Sequence, residues 1–283
     1  MFGFLNVYKP KGKTSYDVVA ILRRITKIKQ IGHTGTLDPF AEGVLPICIG
    51  KSTRLIEYLD DDKSYIGTIQ FGTSTATYDI EGEVVNVSDK KVSLQEIEDV
   101  LFHFRGEIEQ LPPIYSAIKV NGKKLYEYAR KGEDVEIKPR IVNIQKLEIL
   151  SFNEEKQILE LLIECSKGTY IRSIAHDIGE QLGCLGHLVK LVRIKAGQFK
   201  IEKAVKLENL NSVEQVSANL IYPLEYLKYP RYELNELEKE KVSHGNSLEV
   251  DANNGTVLLV KDNKLIAVSN IENRKAKMLK VFI

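Results

Sequence analysis

The chain has 283 residues, 43% of them hydrophobic and 28% charged, and its net charge is only +1. Such a balance suits a globular protein with one large core and a small second unit, and it excludes collagenous, disordered and helix-spanned membrane classes. Cys48, Cys165 and Cys184 are too far apart for a disulfide framework or a zinc site, and Met1–Lys13 lacks a signal-peptide layout, so a reducing cytoplasm is expected.

Taken in order, Phe2–Tyr8 predicts a short strand and Lys9–Lys13 a basic turn. Ser15 is placed to cap a helix whose apolar positions are Val18, Val19, Leu22, Ile25 and Ile28. Next comes Gly32–Pro46, GHTGTLDPFAEGVLP, in which Gly32, Gly35 and Gly43 are free to take positive φ. Asp38 precedes Pro39, which steers it toward an extended conformation on a stiff loop. Val44–Ile49 predicts a strand, and Pro46 within it predicts an edge or bulged position.

Ser64–Gly72 and Gly82–Val87 predict strands joined by a polar loop carrying Tyr78 and Asp79. Ser93 and Glu96 form a capping box for a helix to about Phe104. Asn121-Gly122 is a hairpin turn after Ile114–Val120, and Lys124–Lys131 a short helix ended by Gly132. Strands are expected at Ile141–Ser151, Gln157–Cys165 and Leu191–Phe199. Thr169 is placed to cap a helix running to Leu182, on which His176-Asp177 reads as a surface pair. A boundary near Tyr229-Pro230 divides a domain over 1–228 from a β-rich unit over 229–283.

Charge is unevenly placed. Residues 1–35 hold seven Lys or Arg against Asp17 alone, and residues 186–206 hold six against Glu202 alone. Two basic stretches in a near-neutral chain predict a local polyanion footprint. Gly12-Lys13-Thr14 and Gly50-Lys51-Ser52 fail as phosphate loops because Val7 and Leu45 stand where the leading glycine belongs. The five histidines have no metal-ligand spacing, and no cysteine sits in an activating loop.

GHTGTLDPFAEGVLP resembles the signature of the TruB family of pseudouridine synthases, and the likeness runs through residues 3–194. Asn6–Pro10 with Gly12 and Ser15, Lys63-Ser64-Tyr65, Pro112–Lys119 with Gly122 and Tyr126, and Cys165–Ser173 are similar to further family motifs in family order. The resemblance implies a mixed α+β fold, mainly antiparallel sheet with flanking helices, and a small β-rich C-terminal unit like a PUA domain. It implies isomerisation of a uridine in the T loop of transfer RNA, at position 55, without a cofactor or metal and by a monomer. Residue by residue, Asp38 matches the catalytic aspartate, Tyr65 the active-site tyrosine and Arg172 the arginine that pairs with the aspartate. His33, Asp79 and Tyr170 match RNA-facing positions. Lys9, Lys11, Lys13, Arg23, Lys27, Lys190 and Arg193 are the cations expected on phosphates. The residues suit Asp38 either as nucleophile or as the base of a glycal route. RNA-guided modification of ribosomal RNA and a non-catalytic RNA-binding role are the competing assignments.

Overall fold

A computed structural model describes residues 1–282. Strand β1 (Gly3–Lys9) leads into helix α1 (Ser15–Thr26), then β2 (Ile31–His33), β3 (Glu42–Ile49), a 3-10 segment over Gly50–Tyr58, and β4 (Lys63–Phe71). A small hairpin follows, β5 (Thr73–Thr75) with β6 (Val84–Val87), then α2 (Leu94–Leu101) and β7 (Gly106–Gln110). An excursion holds β8 (Lys119–Val120), β9 (Lys123–Lys124) and α3 (Leu125–Ala129). The chain returns through β10 (Arg140–Asn153), β11 (Ile158–Cys165), α4 (Ile171–Gln181), β12 (Gly186–Ala196), β13 (Phe199–Lys200), β14 (Val205–Lys206) and α5 (Val213–Ala218). Last come β15 (Arg231–Glu233), α6 (Glu236–Ser243), β16 (Leu248–Glu249), β17 (Gly255–Lys261), β18 (Lys264–Glu272) and β19 (Lys275–Val281).

The main sheet runs β14-β1-β3-β12-β4-β11-β10-β7, with β2 added on β3 and β13 on β12. Only β1–β14 and β3–β12 pair in parallel, so the expected mixed, mainly antiparallel sheet is what forms. Alternation decides its faces: Tyr65, Ile69 and Phe71 of β4 and Leu159, Leu161 and Ile163 of β11 turn inward beneath α1, α2 and α4. The opposite face of β1 and β3, through Phe4, Val44 and Cys48, shares a core with Leu224, Leu258, Val268 and Phe282. The second sheet, β15-β17-β18-β19-β16, is therefore a separate ladder packed against the first.

Three local expectations are corrected. Thr14, not Ser15, caps α1, in a reciprocal box with Asp17; the buried Ser15 hydroxyl accepts from Leu37 N at 2.8 Å and faces Leu37 O at 3.2 Å. Thr169 does not cap α4, whose N-cap position is Tyr170 with no side-chain bond; Gln110 instead accepts from Tyr170 N and donates to Tyr170 O. Pro46 lies on an inner strand of the sheet, opposite Asn6 of β1 and one residue short of the stretch that pairs with β2. Its carbonyl accepts from Thr34 N, so the missing N–H faces the side where β2 has just ended.

Of the three glycines in the Asp38 segment, only Gly43 takes positive φ, at 105°. There β3 crosses β12 so closely that an added Cβ would lie 2.3 Å from Arg193 O. Backbone cannot yield as a side chain does, so Gly43→Ala should lower Tm by roughly 6 °C or more. Thermal unfolding followed by far-UV circular dichroism checks this; an unchanged Tm would show that the two strands separate at little cost.

Candidate active site

A cleft of about 410 Å³ is lined by Asp38, Tyr65, Tyr115, Tyr126, Tyr170, Arg172, Lys63 and Lys167, among others. Five separate stretches of chain meet there: the 34–38 loop, the start of β4, the 115–126 excursion, the turn into α4, and β12 through Leu191. A larger apolar hollow of about 620 Å³, between α1 and residues 206–211, is lined by none of these groups.

The Asp38 loop is tied down from several sides. Thr34 N donates to Pro46 O, Gly12 N to Pro39 O, and Ser15 grips Leu37. Arg193, with no accessible surface, donates to Val44 O at 2.7 Å, Gly35 O at 3.0 Å and Thr36 O at 3.3 Å. It is also the cross-strand neighbour of Tyr65. Lys9 is equally buried, and its Nζ donates to the carbonyls of Pro10, Lys13 and Pro39. Burial lowers the Lys9 pKa to about 8.

At the centre stands Arg172. Its Nε is 3.1 Å from Asp38 Oδ2, its Nη2 3.3 Å from Asp38 Oδ1, and its Nη1 3.2 Å from Asp79 Oδ2. Nη2 and Nη1 also donate to Tyr115 O and Thr77 O. Arg172 and Asp79 are almost wholly buried, whereas a third of the Asp38 side chain is exposed toward the cleft. Burial raises the Asp38 pKa above the ordinary carboxylate range; Arg172 pulls it down most strongly and Asp79 pushes it up again. Burial also raises the Tyr65 pKa, opposed by the charge of Arg193.

The sequence-derived set therefore divides. Asp38, Tyr65, Arg172 and Tyr170 share the cleft. His33 sits at the end of β2 just before the cleft-lining Thr34; its Nδ1 is buried without a hydrogen bond, and burial lowers its pKa. Lys11, Lys27 and Lys190 are exposed and Lys13 is half-buried. Lys9 and Arg193 are corrected: both are spent on backbone carbonyls and offer no surface to a phosphate. Arg23 is half-buried and donates to Ile31 O. Asp79 is buried and is the second carboxylate on Arg172. Sequence reading missed Lys63 and Lys167, whose place in the cleft depends on β4 and the turn before α4 coming together.

The family model described as TruB family pseudouridylate synthase (N terminal domain) matches residues 23–171, and that of the tRNA pseudouridylate synthase B C-terminal domain matches 172–227. Among curated proteins, tRNA pseudouridine synthase B of Francisella philomiragia is 42% identical over 99% of this chain and 94% of its own length. The protein of the same name from Clostridium kluyveri is 38% identical over the whole of both chains. Among solved structures, a chain of a Cbf5-Nop10-Gar1 complex aligns with a TM-score of 0.74 and 26% identity, covering 100% of this chain and 85% of that one. A chain of an H/ACA RNP bound to a substrate RNA containing 2'-deoxyuridine aligns at 0.70 and 23%, which bears on the fold.

Fold and matches together define the class: this is a pseudouridine synthase, an isomerase. The chain belongs to the TruB family, and its C-terminal sheet is consistent with a PUA-like fold.

Because Arg172, almost wholly buried, neutralises two carboxylates, Arg172→Leu should cost about 3–5 kcal/mol of stability at neutral pH. Loss of the guanidinium would raise the Asp38 pKa further, so the folded state would bind a proton the unfolded state has released. Part of the lost stability should then return as pH falls toward about 4, where the unfolded carboxyl also protonates. Urea titrations at two pH values measure both effects; a deficit that does not shrink on acidification would contradict the charge argument.

Proposed function

We propose that this enzyme converts a uridine in the T loop of transfer RNA, at position 55, to pseudouridine, acting as a single chain without a guide RNA or protein partner. The observation that carries the assignment is the Asp38–Arg172 pair, open on its Asp38 side to a cleft that also holds Tyr65. Relatives spanning the whole chain and named tRNA pseudouridine synthase B support transfer RNA as the substrate.

The reaction breaks the bond from ribose C1′ to uracil N1, turns the base and joins C1′ to C5; the proton on C5 leaves and N1 gains one. Nothing is oxidised and no group passes to a second substrate. A base buried in a stacked loop is out of reach of Asp38, so the uridine must be flipped into the cleft. Once it fills the cleft, the exposed edge of Asp38 loses water, and Arg172 is what keeps the carboxylate ionised. The ionised form is needed both for attack on C1′ and for removal of the 2′ proton in a glycal route. Tyr65, held on β4 beside Arg193, offers a ring to stack on the uracil and an oxygen to receive the C5 proton. His33 braces the space the base vacates.

The purified chain, incubated alone with a T-loop hairpin tritiated at uracil C5, should release tritium, and Asp38→Asn should release none. The rate should fall on acidification through a pKa above the ordinary carboxylate value of about 3.9, and Arg172→Gln should move that limb to higher pH. RNA binding without tritium release would overturn the assignment.

Phosphate contact is assigned to the exposed Lys11, Lys27 and Lys190 with Lys13, and to Lys63 and Lys167 at the cleft. Each true contact neutralised to Gln should reduce the slope of log K against log salt by about 0.7–0.9. Lys9→Gln and Arg193→Gln should lower Tm. A slope that changes only in these two would reverse the division between surface and buried cations.

A further inference from the structure

The loop that carries Asp79 contains a residue whose conformation is unusual. Tyr78 has φ 63°, a left-handed backbone that bulky side chains rarely adopt. This turn lies between Thr77, whose carbonyl accepts from Arg172, and Asp79, whose carboxylate pairs with it. The Tyr78 ring lies flat on His176, with centroids 3.9 Å apart and planes 6° from parallel. His176 is one helical turn beyond Arg172 on α4, so the two side chains leave the same face of the helix. One face of α4 thus grips the 77–79 turn twice, by a guanidinium and by a ring.

His176 is half-buried, where its sequence position had suggested a surface group. Its Nδ1 is buried and unpartnered, and burial lowers its pKa, so at neutral pH Tyr78 faces the uncharged imidazole. Strain at Tyr78 and an unpartnered nitrogen at His176 both persist only because the surroundings over-determine them. What they jointly determine is the register between the turn and α4. Other ties act on the turn: Leu188 N donates to Tyr78 O, and Ile80 N to Leu188 O. Those bonds join it to β12, whereas the ring stack joins it to the helix bearing Arg172.

We propose that Tyr78 and His176 are positioning residues for the isomerisation: their stacked rings set the placement of α4 against the 77–79 turn at which Arg172 reaches Asp79 and Asp38 together. The proposal rests on the assignment of Asp38 and Arg172 as the reactive pair. Neither side chain needs to touch RNA for this, so its signature is a loss in the chemical step with binding spared.

The test is single-turnover tritium release, with hairpin affinity measured separately, for Tyr78→Phe, Tyr78→Asn, His176→Ala, His176→Phe and the double variant Tyr78→Asn/His176→Ala. Asn tolerates the left-handed backbone, so Tyr78→Asn removes the ring without adding strain. Tyr78→Phe and His176→Phe keep a ring in the stack and should stay within about two-fold of wild type. Tyr78→Asn and His176→Ala should each slow the bound-state rate about ten-fold with affinity within about two-fold, and the double variant should be no slower than either. Wild-type rates in Tyr78→Asn, losses that multiply in the double variant, or losses confined to affinity would overturn the proposal. If Tyr78→Asn does not fold, the contrast between His176→Ala and His176→Phe decides it. Tritium release by Asp38→Asn would instead fail the underlying assignment, so the two failures are distinguishable.

Discussion

A guanidinium taken out of water must be surrounded by acceptors, and Arg172 meets this demand by drawing on three other parts of the chain. Two carboxylates, from the 38 loop and the 79 turn, balance its charge, and the carbonyls of Thr77 and Tyr115 take further N–H groups. Removing one partner leaves a charge stranded in low dielectric, so the loop, the turn, the excursion and helix α4 are bound to one arrangement. The carboxylate that is best buried, Asp79, stays fully engaged, and Asp38 is left partly open to the cleft, as its proposed role requires.

Two further buried cations complete the scaffold around that pair. Arg193 gathers the carbonyls of Gly35, Thr36 and Val44, and Lys9 those of Pro10, Lys13 and Pro39. The Asp38 loop is irregular, so its carbonyls find no partners within a ladder; buried side-chain donors supply them. Two of the seven cations expected on phosphates are thus internal. Near the cleft, Lys63 and Lys167 are the lysines that line it, on different elements.

Local chemistry was legible wherever neighbours in sequence decide it. The capping box of Ser93 and Glu96, the Asn121-Gly122 turn with both residues at positive φ, and the alternating strands β4, β10 and β11 form as their residues predict. Ser15 gives way as cap to the Thr14–Asp17 box beside it, and its hydroxyl serves Leu37, twenty-two residues on. Thr169 turns its hydroxyl back to Ser166 O, while Gln110 reaches the chain at Tyr170 from another strand. Strand β7 escaped notice because an edge strand with exposed glutamates carries little alternation.

The sequence by itself determined the family, the stiff loop presenting Asp38 and the presence of a tyrosine and an arginine suited to partner it. Those features are covalent order and residue type, which a motif preserves whatever surrounds it. Tertiary structure decided which charges are spent. Whether Lys9 and Arg193 face solvent or carbonyl oxygens, whether Asp79 meets RNA or Arg172, and whether His176 is a surface group or half of a ring stack all depend on strands brought together from distant parts of the chain. Burial is a property of the assembled neighbourhood, and it is burial that turns a cation such as Arg193 into a structural tie and an acid such as Asp79 into a partner of Arg172.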